Sequence, residues 1–388
     1  MFRRESAREA AFRREVADWL AEAVPAELRD LTFRPSRDAA LDWYRKLSQR
    51  GWVAPHWPRA LGGMEASPVE QVILMEEMAR AGAPDFPTQG LNHIGPTLIA
   101  RGTPAQHARH LPPILAGDVI WCQGYSEPGA GSDLASLRTR AEVRGDRLVI
   151  SGHKIWTTWG HYADWMFALV RAGNESAGRN GITFVLIDLH GDGITRRPIT
   201  TIAGDDEFCE VFFDDVAVPL ENVVGEIGDG WSVATAVLTE ERLRLGAPAL
   251  AFKALQRLRR VASYRGAPDA HTCQRLAQAE IEVETLVAAF LNAAEACHDG
   301  ENGATAYLKI LSTETVQRIL GFAQELAGEY AALKTPLHDC DGNRVDFSEM
   351  ALQSRRLSIY GGTNEIQRTL IASKVLDLPR AARAKKGT

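Results

Sequence analysis

The spacing of apolar residues changes twice along the 388-residue chain. From residue 1 to about 118 apolar positions recur at helical period, as in Val69–Arg80, with punctuation at APHWPRALGG, GAPDFPTQG and LPPILAG. From Ile120 to about Val218 the pattern shortens: DRLVISG, WMFALVR, GITFVLIDL and EFCEVFFDDVAVP are β-branched and aromatic runs separated by Gly, Asp and Asn, the grammar of strands. After GEIGDG, long helical periods return over Trp231–Arg260, His271–Cys297, Ala304–Ala331 and Phe347–Leu378. The chain is therefore expected to be mainly α with a central β domain, divided 1–118, 119–228 and 229–388. No internal repeat or low-complexity linker separates the parts, so they are expected to pack as one body.

The opening MFRRESAREAAFRREVADWL is rich in arginine, but Glu5, Glu9 and Glu15 interleave with the basic residues, and transit peptides are poor in acids. Phe2, Ala10, Phe12, Val16, Trp19 and Leu20 mark an apolar stripe, which predicts an amphipathic helix of the folded protein. No run reaches the ~18 apolar residues of a membrane span, and the basic RAARAKKGT reads as a solvated end.

Composition changes this picture little. A net charge of −6 spread along the chain lacks the clustered Lys and Arg of a nucleic-acid footprint. The five cysteines, Cys122, Cys209, Cys273, Cys297 and Cys340, are odd in number and form no C-x-x-C pair, so neither a zinc site nor a disulfide framework is expected. A reducing cytoplasm is the expected setting.

Several chemical motifs fail on inspection. Gly129-Ala-Gly131-Ser-Asp-Leu134 lacks the third glycine and the βαβ context of a dinucleotide fold. Gly124-Tyr-Ser126-Glu-Pro128 has proline where a hydrolase elbow closes on glycine. His107 with His110, and His153 with His161, have no accompanying acid motif, and no metal site is expected. What remains is WCQGYSEPGAGSDLASLRTRA, with hydroxyls and tight glycine turns, and SGHKIWTTWGHYADW, where Trp156 and Thr158 sit two apart on a predicted strand and so on one face. An indole beside a hydroxyl suits a planar heteroaromatic ring such as a flavin; a Trp-rich core layer with incidental threonines is the other reading.

Over nearly its whole length the sequence resembles the acyl-CoA dehydrogenase family: in the domain order, YSEPGAGSD, GHKIWTT, EVFFDDVAVP, the Glu241-Arg242 pair and GGTNEIQR. The resemblance implies an N-terminal helical domain, a middle β-barrel-like domain and a C-terminal helical bundle holding FAD, with an acyl-CoA substrate desaturated to a trans-2-enoyl-CoA. By position, Tyr125 and Ser126 would border the isoalloxazine, Trp156 and Thr158 would make its other contacts, and Ser132 would meet the CoA portion and the cofactor region. Arg242 and Gly362 would face the substrate, and Thr363 and Glu365 would meet the adenine-nucleotide part of FAD. Gln324 to Gly328 matches a segment that reaches a neighbouring subunit's FAD, but the R-x-x-F-G of another such contact is replaced by SYRGAPDAHTCQ.

In many members the catalytic base stands where this chain has Gly361; in others it stands where this chain has Glu241. The resemblance therefore implies Glu241 as the base that takes the α-proton while flavin N5 takes the β-hydride, and the Gly361 backbone N–H as a donor to the thioester oxygen. It further implies a homotetramer, a dimer of dimers, that passes electrons to an electron-transferring flavoprotein. An acyl-CoA oxidase or flavin monooxygenase on the same scaffold, and a weakly or non-catalytic subunit of a hetero-oligomer, are the alternatives.

Overall fold

In the computed structural model the described residues are 5–31, 35–172, 179–264, 267–298, 305–333, 337–338, 344–345 and 347–379. The side chains of 236–242, 297–298, 337 and 344 also fall outside them. The N-terminal part holds α1 (Ala7–Ala23), α2 (Arg37–Gln49), α3 (Pro68–Arg80), α4 (Gly95–Arg101) and α5 (Pro104–Ala116). Three of these start on reciprocal caps in which a hydroxyl takes an orphan backbone N–H and the side chain three residues on returns the bond: Ser6 with Glu9, Ser67 with Glu70, and Thr103 with Gln106. The predicted stripe on α1 buries Val16 and Leu20; Phe2 lies outside the described residues. A π-helical turn, Gly90–Ile94, runs directly into α4. Such turns break the regular ladder and tend to occur at functional sites.

The middle part is a seven-stranded curled sheet among the described residues: β1 (Trp121–Gly124), β2 (Arg140–Arg144), β3 (Arg147–Lys154), β4 (Trp165–Ala172), β5 (Ile182–Asp188), β6 (Ile194–Ile199) and β7 (Phe208–Pro219). The order is β1-β4-β2-β3-β7-β6, with β5 also on β4. β1 and β2 run parallel to the two ends of β4; the remaining pairings are antiparallel. β5 is buried continuously from Ile182 to Ile187 because a helix of the third part covers it, which is why it reads as an unbroken apolar run. β2 and β6 had no strand signal: RAEVR and ITRRPI are charged, and β6 is an edge strand that tolerates Pro198.

The C-terminal part comprises α6 (Gly230–Leu245), α7 (Ala249–Ser263), α8 (Ala270–His298), α9 (Thr305–Ala327), α10 (Ser348–Gln353) and α11 (Asn364–Leu370). The single period read over Trp231–Arg260 divides into α6 and α7 around Pro248, which stands at the α7 N-cap. Phe347–Leu378 is likewise not one helix but α10, a 3-10 turn at Ser354–Ser358, the glycine turn, α11 and a π turn at Ile371–Val375. α9 is the axis of this part, packed on α6, α7, α8, α10 and α11.

α6 is the joint of the molecule, since it touches the π turn and α4 of the first part, β5 of the second and α9 of the third. Its start lies hard against β5: a Cβ at Gly230 would come within 2.2 Å of the Phe184 nitrogen, so only glycine fits. No helix among the described residues is long and apolar enough to cross a membrane.

Candidate active site

β1 delivers Tyr125 into an aromatic nest, edge-on to Phe167 at 5.8 Å and to Phe184 at 6.3 Å. The loop that follows is held by a residue from β3. Lys154, wholly buried, donates to Glu127 Oε1 at 2.7 Å and to the Tyr125 carbonyl at 3.2 Å. The Glu127 carboxylate also accepts the backbone N–H groups of Arg138 at 2.6 Å and Thr139 at 2.9 Å. Burial pushes the Lys154 ammonium down to about 8 against the opposing pull of Glu127. Burial alone would raise Glu127, but Lys154 and the bonds from Thr139 and Arg138 outweigh it and hold the carboxyl below its usual range. The Ile155 N–H donates to the Ser126 carbonyl at 3.0 Å, so the two segments singled out in the sequence are laced together.

The strand expected to carry Trp156 and Thr158 on one face ends at Lys154, before either residue. Trp156 takes a left-handed backbone, φ 62°, and so does Trp159, φ 62°. The period-2 rule therefore stops deciding where these side chains point. In place of ladder pairing, Thr157 N–H donates to the Cys209 carbonyl at 3.0 Å and Trp159 N–H to the Glu207 carbonyl at 3.1 Å, which zips the segment onto the start of β7. Trp156 stays 55% exposed, edge-on to Phe208 at 5.9 Å. A bulky non-glycine residue in this region of backbone space is held by its surroundings at a cost of roughly 1–3 kcal/mol, and such residues cluster at functional sites. The Ser126, Ser132 and Thr158 hydroxyls make no hydrogen bond to a described residue, and the Thr157 hydroxyl is buried without one.

Gly361 and Gly362 are both left-handed, with φ of 62° and 81°. The turn and the missing carboxylate are thus one fact: a side chain at Gly361 would be strained as well as present. The Gln367 amide donates to the Gly361 carbonyl at 3.1 Å and to the Gly362 carbonyl at 3.4 Å. Thr363 caps α11 by accepting Ile366 N–H at 3.2 Å, and Glu365 lies in the first turn. Glu365 is held below its usual range chiefly by a backbone hydrogen bond at that turn and by the Thr363 hydroxyl. Among the described residues no acceptor takes the Gly361 N–H.

Glu241 lies within α6, as the sequence places it, but its side chain and that of Arg242 lie outside the described residues. α9 brings this helix and the glycine turn together. Ser312 donates to the carbonyl of Ala247, just beyond α6, at 3.5 Å. On the same helix Lys309 donates to Asn364 Oδ1 at 2.9 Å, and Thr313 to the same oxygen at 3.4 Å. Arg244, near the end of α6, donates to Gln71 of α3 at 2.7 Å.

Gln324 lies about 17 Å further along α9 from Thr313, and Gly328, φ 57°, closes that helix with open space around its Cα. The histidine pairs serve the packing. His107 Nε2 lies 2.6 Å from the Leu98 carbonyl, and His110 is edge-on to Trp121 and Trp165, with burial and the Arg109 charge lowering it to about 4. His153 stacks on Phe212, and His161 leans on Tyr162.

Glu127, Lys154, Gln367 and Asn364 were not singled out in the sequence. Lys154 carried a legible signal: it shares the inward face of β3 with Leu148 and Ile150, and a lysine on such a face implies a buried partner.

The three parts correspond to a known architecture. Family models described as "Acyl-CoA dehydrogenase, N-terminal domain", "middle domain" and "C-terminal domain" match residues 6–118, 122–216 and 228–376. The chain belongs to the acyl-CoA dehydrogenase family. It is 38% identical to acyl-CoA dehydrogenase IpdE1 of Mycobacterium tuberculosis over 96% of this chain and 98% of that one. It is 36% identical to IpdE1 of Mycolicibacterium smegmatis over 95% and 97%. Among solved structures, the ChsE4-ChsE5 complex from Mycobacterium tuberculosis aligns with TM-score 0.82 and 32% identity over 98% of this chain and 100% of that one. A structure described as the Tcur3481-Tcur3483 steroid ACAD aligns with TM-score 0.87 and 30% identity over 97% and 99%.

Members of this family bind FAD. The residues here fit that group: an exposed indole held out from the sheet, hydroxyls at Ser126, Ser132 and Thr158 uncommitted to described protein groups, and a capped helix start at Thr363.

Proposed function

We propose that this chain is an FAD-dependent dehydrogenase of a bulky, ring-bearing acyl-CoA, with Glu241 as the base. Tyr125, Ser126, Trp156 and Thr158 hold the flavin ring, Ser132 meets the CoA portion, and Thr363 with Glu365 meets the nucleotide part. When bound, FAD would supply the two-electron acceptor for the hydrogen leaving the β-carbon. Glu241 takes the α-proton, and a carbon–carbon double bond forms between the two positions. The Gly361 N–H donates to the thioester oxygen, where negative charge grows as the proton leaves; a donor aimed in advance at such charge contributes about 3–4 kcal/mol. By its place in the sequence Arg242 is assigned to the substrate, and an electron-transferring flavoprotein takes the two electrons.

The observation that carries this reading is the glycine turn. Its two left-handed residues present backbone without a side chain, Gln367 pins their carbonyls, and the turn shares α9 with the end of the Glu241 helix. We infer that a turn without side chains leaves room for a ring, in keeping with the structure described as a steroid ACAD.

The test is anaerobic titration of the purified protein with a panel of acyl-CoAs. Bleaching of the flavin by ring-bearing thioesters, with slower bleaching by straight-chain ones, is expected. Glu241→Gln should retain FAD and lose a factor on the order of 10²–10⁴ in the rate of flavin reduction. A wild-type reduction rate in that variant would remove Glu241 from the mechanism, and peroxide formation without an added acceptor would favour an oxidase.

A second proposal concerns assembly. The replacement of R-x-x-F-G by SYRGAPDAHTCQ alters an expected inter-subunit cofactor contact, and two of the similar structures are named for two chains. We infer that this chain assembles with a second, homologous chain. Native mass and FAD content, measured alone and after co-expression with that chain, test this. A homotetramer with one FAD per subunit would exclude it.

A further inference from the structure

Besides the packing of α6 on β5, the middle and C-terminal parts are joined through an arginine. Arg356, in the 3-10 turn after α10, forms an ion pair with Glu207, whose side chain is only 4% exposed. The Arg356 guanidinium also lies over the Phe208 ring at 5.6 Å. Phe208 is the ring on which Trp156 rests, and the Glu207 and Cys209 carbonyls are those that accept Trp159 and Thr157. A second bond one turn earlier, Gln353 to Asp205 Oδ2 at 2.7 Å, ties the same segment. On its other side Arg356 begins the glycine turn: its carbonyl accepts the N–H of Ile359 at 2.9 Å and of Tyr360 at 3.0 Å, and Gly361 follows. One residue thus grips the start of β7, onto which the indole segment is bonded, and anchors the turn that presents the Gly361 amide.

We propose that Arg356 is a positioning residue that sets the distance between the flavin-facing Trp156 segment and the Gly361 amide. This rests on the dehydrogenase reading above. A guanidinium suits the task because its planar face covers Phe208 while its edge bonds the carboxylate. The Glu207 carboxylate is too deeply placed for water to replace that partner at little cost. Misplacement of the two walls by a fraction of an ångström would slow transfer between them far more than it would weaken acyl-CoA binding.

The experiment compares Arg356→Met, Arg356→Lys, Glu207→Gln and the double variant Glu207→Gln/Arg356→Met with wild type. FAD affinity of the apoprotein, Trp156 emission against a Trp156→Phe reference, and single-turnover flavin reduction are measured. Arg356→Met is expected to slow reduction at saturating acyl-CoA by roughly 10-fold or more while KM changes by less than about 3-fold, and to weaken FAD binding. The double variant should be no worse than the worse single, since both remove one contact. Arg356→Lys should recover part of the loss, which also shows that the fold tolerates change at this position. Unchanged reduction rate, FAD affinity and Trp156 emission, with only a lower melting temperature, would overturn the proposal. If no acyl-CoA bleaches wild type, the dehydrogenase reading fails, while FAD affinity and Trp156 emission still decide whether Arg356 positions the indole segment.

Discussion

The Gln367 side chain holds the carbonyls of Gly361 and Gly362 with a single amide nitrogen, 3.1 and 3.4 Å away. The turn is thereby fixed in the left-handed conformation, and a Cβ added at Gly362 would meet that same nitrogen at 2.7 Å.

Gly361→Ala should therefore destabilise the fold by about 1–2 kcal/mol, the cost of placing an L-residue at φ 62°. Urea denaturation measures it. If the turn admits a ring-bearing acyl group, the same variant should lower kcat/KM for that substrate more than for a short straight-chain one.

Glu127→Gln removes the only carboxylate described on the wholly buried Lys154. Stripping one partner from a buried pair leaves a desolvated charge, and a loss of roughly 3–5 kcal/mol is expected. Thermal or chemical unfolding checks it. Glu127→Leu/Lys154→Met, which removes both charges, should lose less than the single variant.

The same pair makes stability fall in acid. Glu127 is held below its ordinary 4.5 in the fold, so between that value and its folded one the unfolded chain binds the additional proton. Stability then rises with pH across the window and is lost as pH falls through the folded value. The gap in melting temperature between wild type and Glu127→Gln should narrow as pH drops below 4.5. A constant gap would show that the carboxylate is not held ionised by Lys154.

Trp156 is exposed and needs no burial to be kept where it is. Trp156→Ala should leave the melting temperature of the apoprotein within about 0.5 kcal/mol of wild type in stability terms. It should also weaken FAD binding by about 10-fold, the loss of roughly one stacking contact. Fluorescence titration of apoprotein with FAD reads the second effect.

The sequence alone determined the order of helical and β parts and most of the elements in them, and it pointed to the segments proposed here to hold the chemistry. Helical period and strand-like runs are local properties, and local physics reads them. Which residues meet was not legible. Lys154 finds Glu127 across 27 positions and Arg356 finds Glu207 across 149, and nothing in the spacing of either pair announces it. Trp156 leaves the strand where Thr157 and Trp159 bond the carbonyls of Cys209 and Glu207. Backbone angles of this kind are set by distant partners that outweigh local preference. The tertiary structure alone therefore placed the indole segment, the glycine turn and the arginine between them.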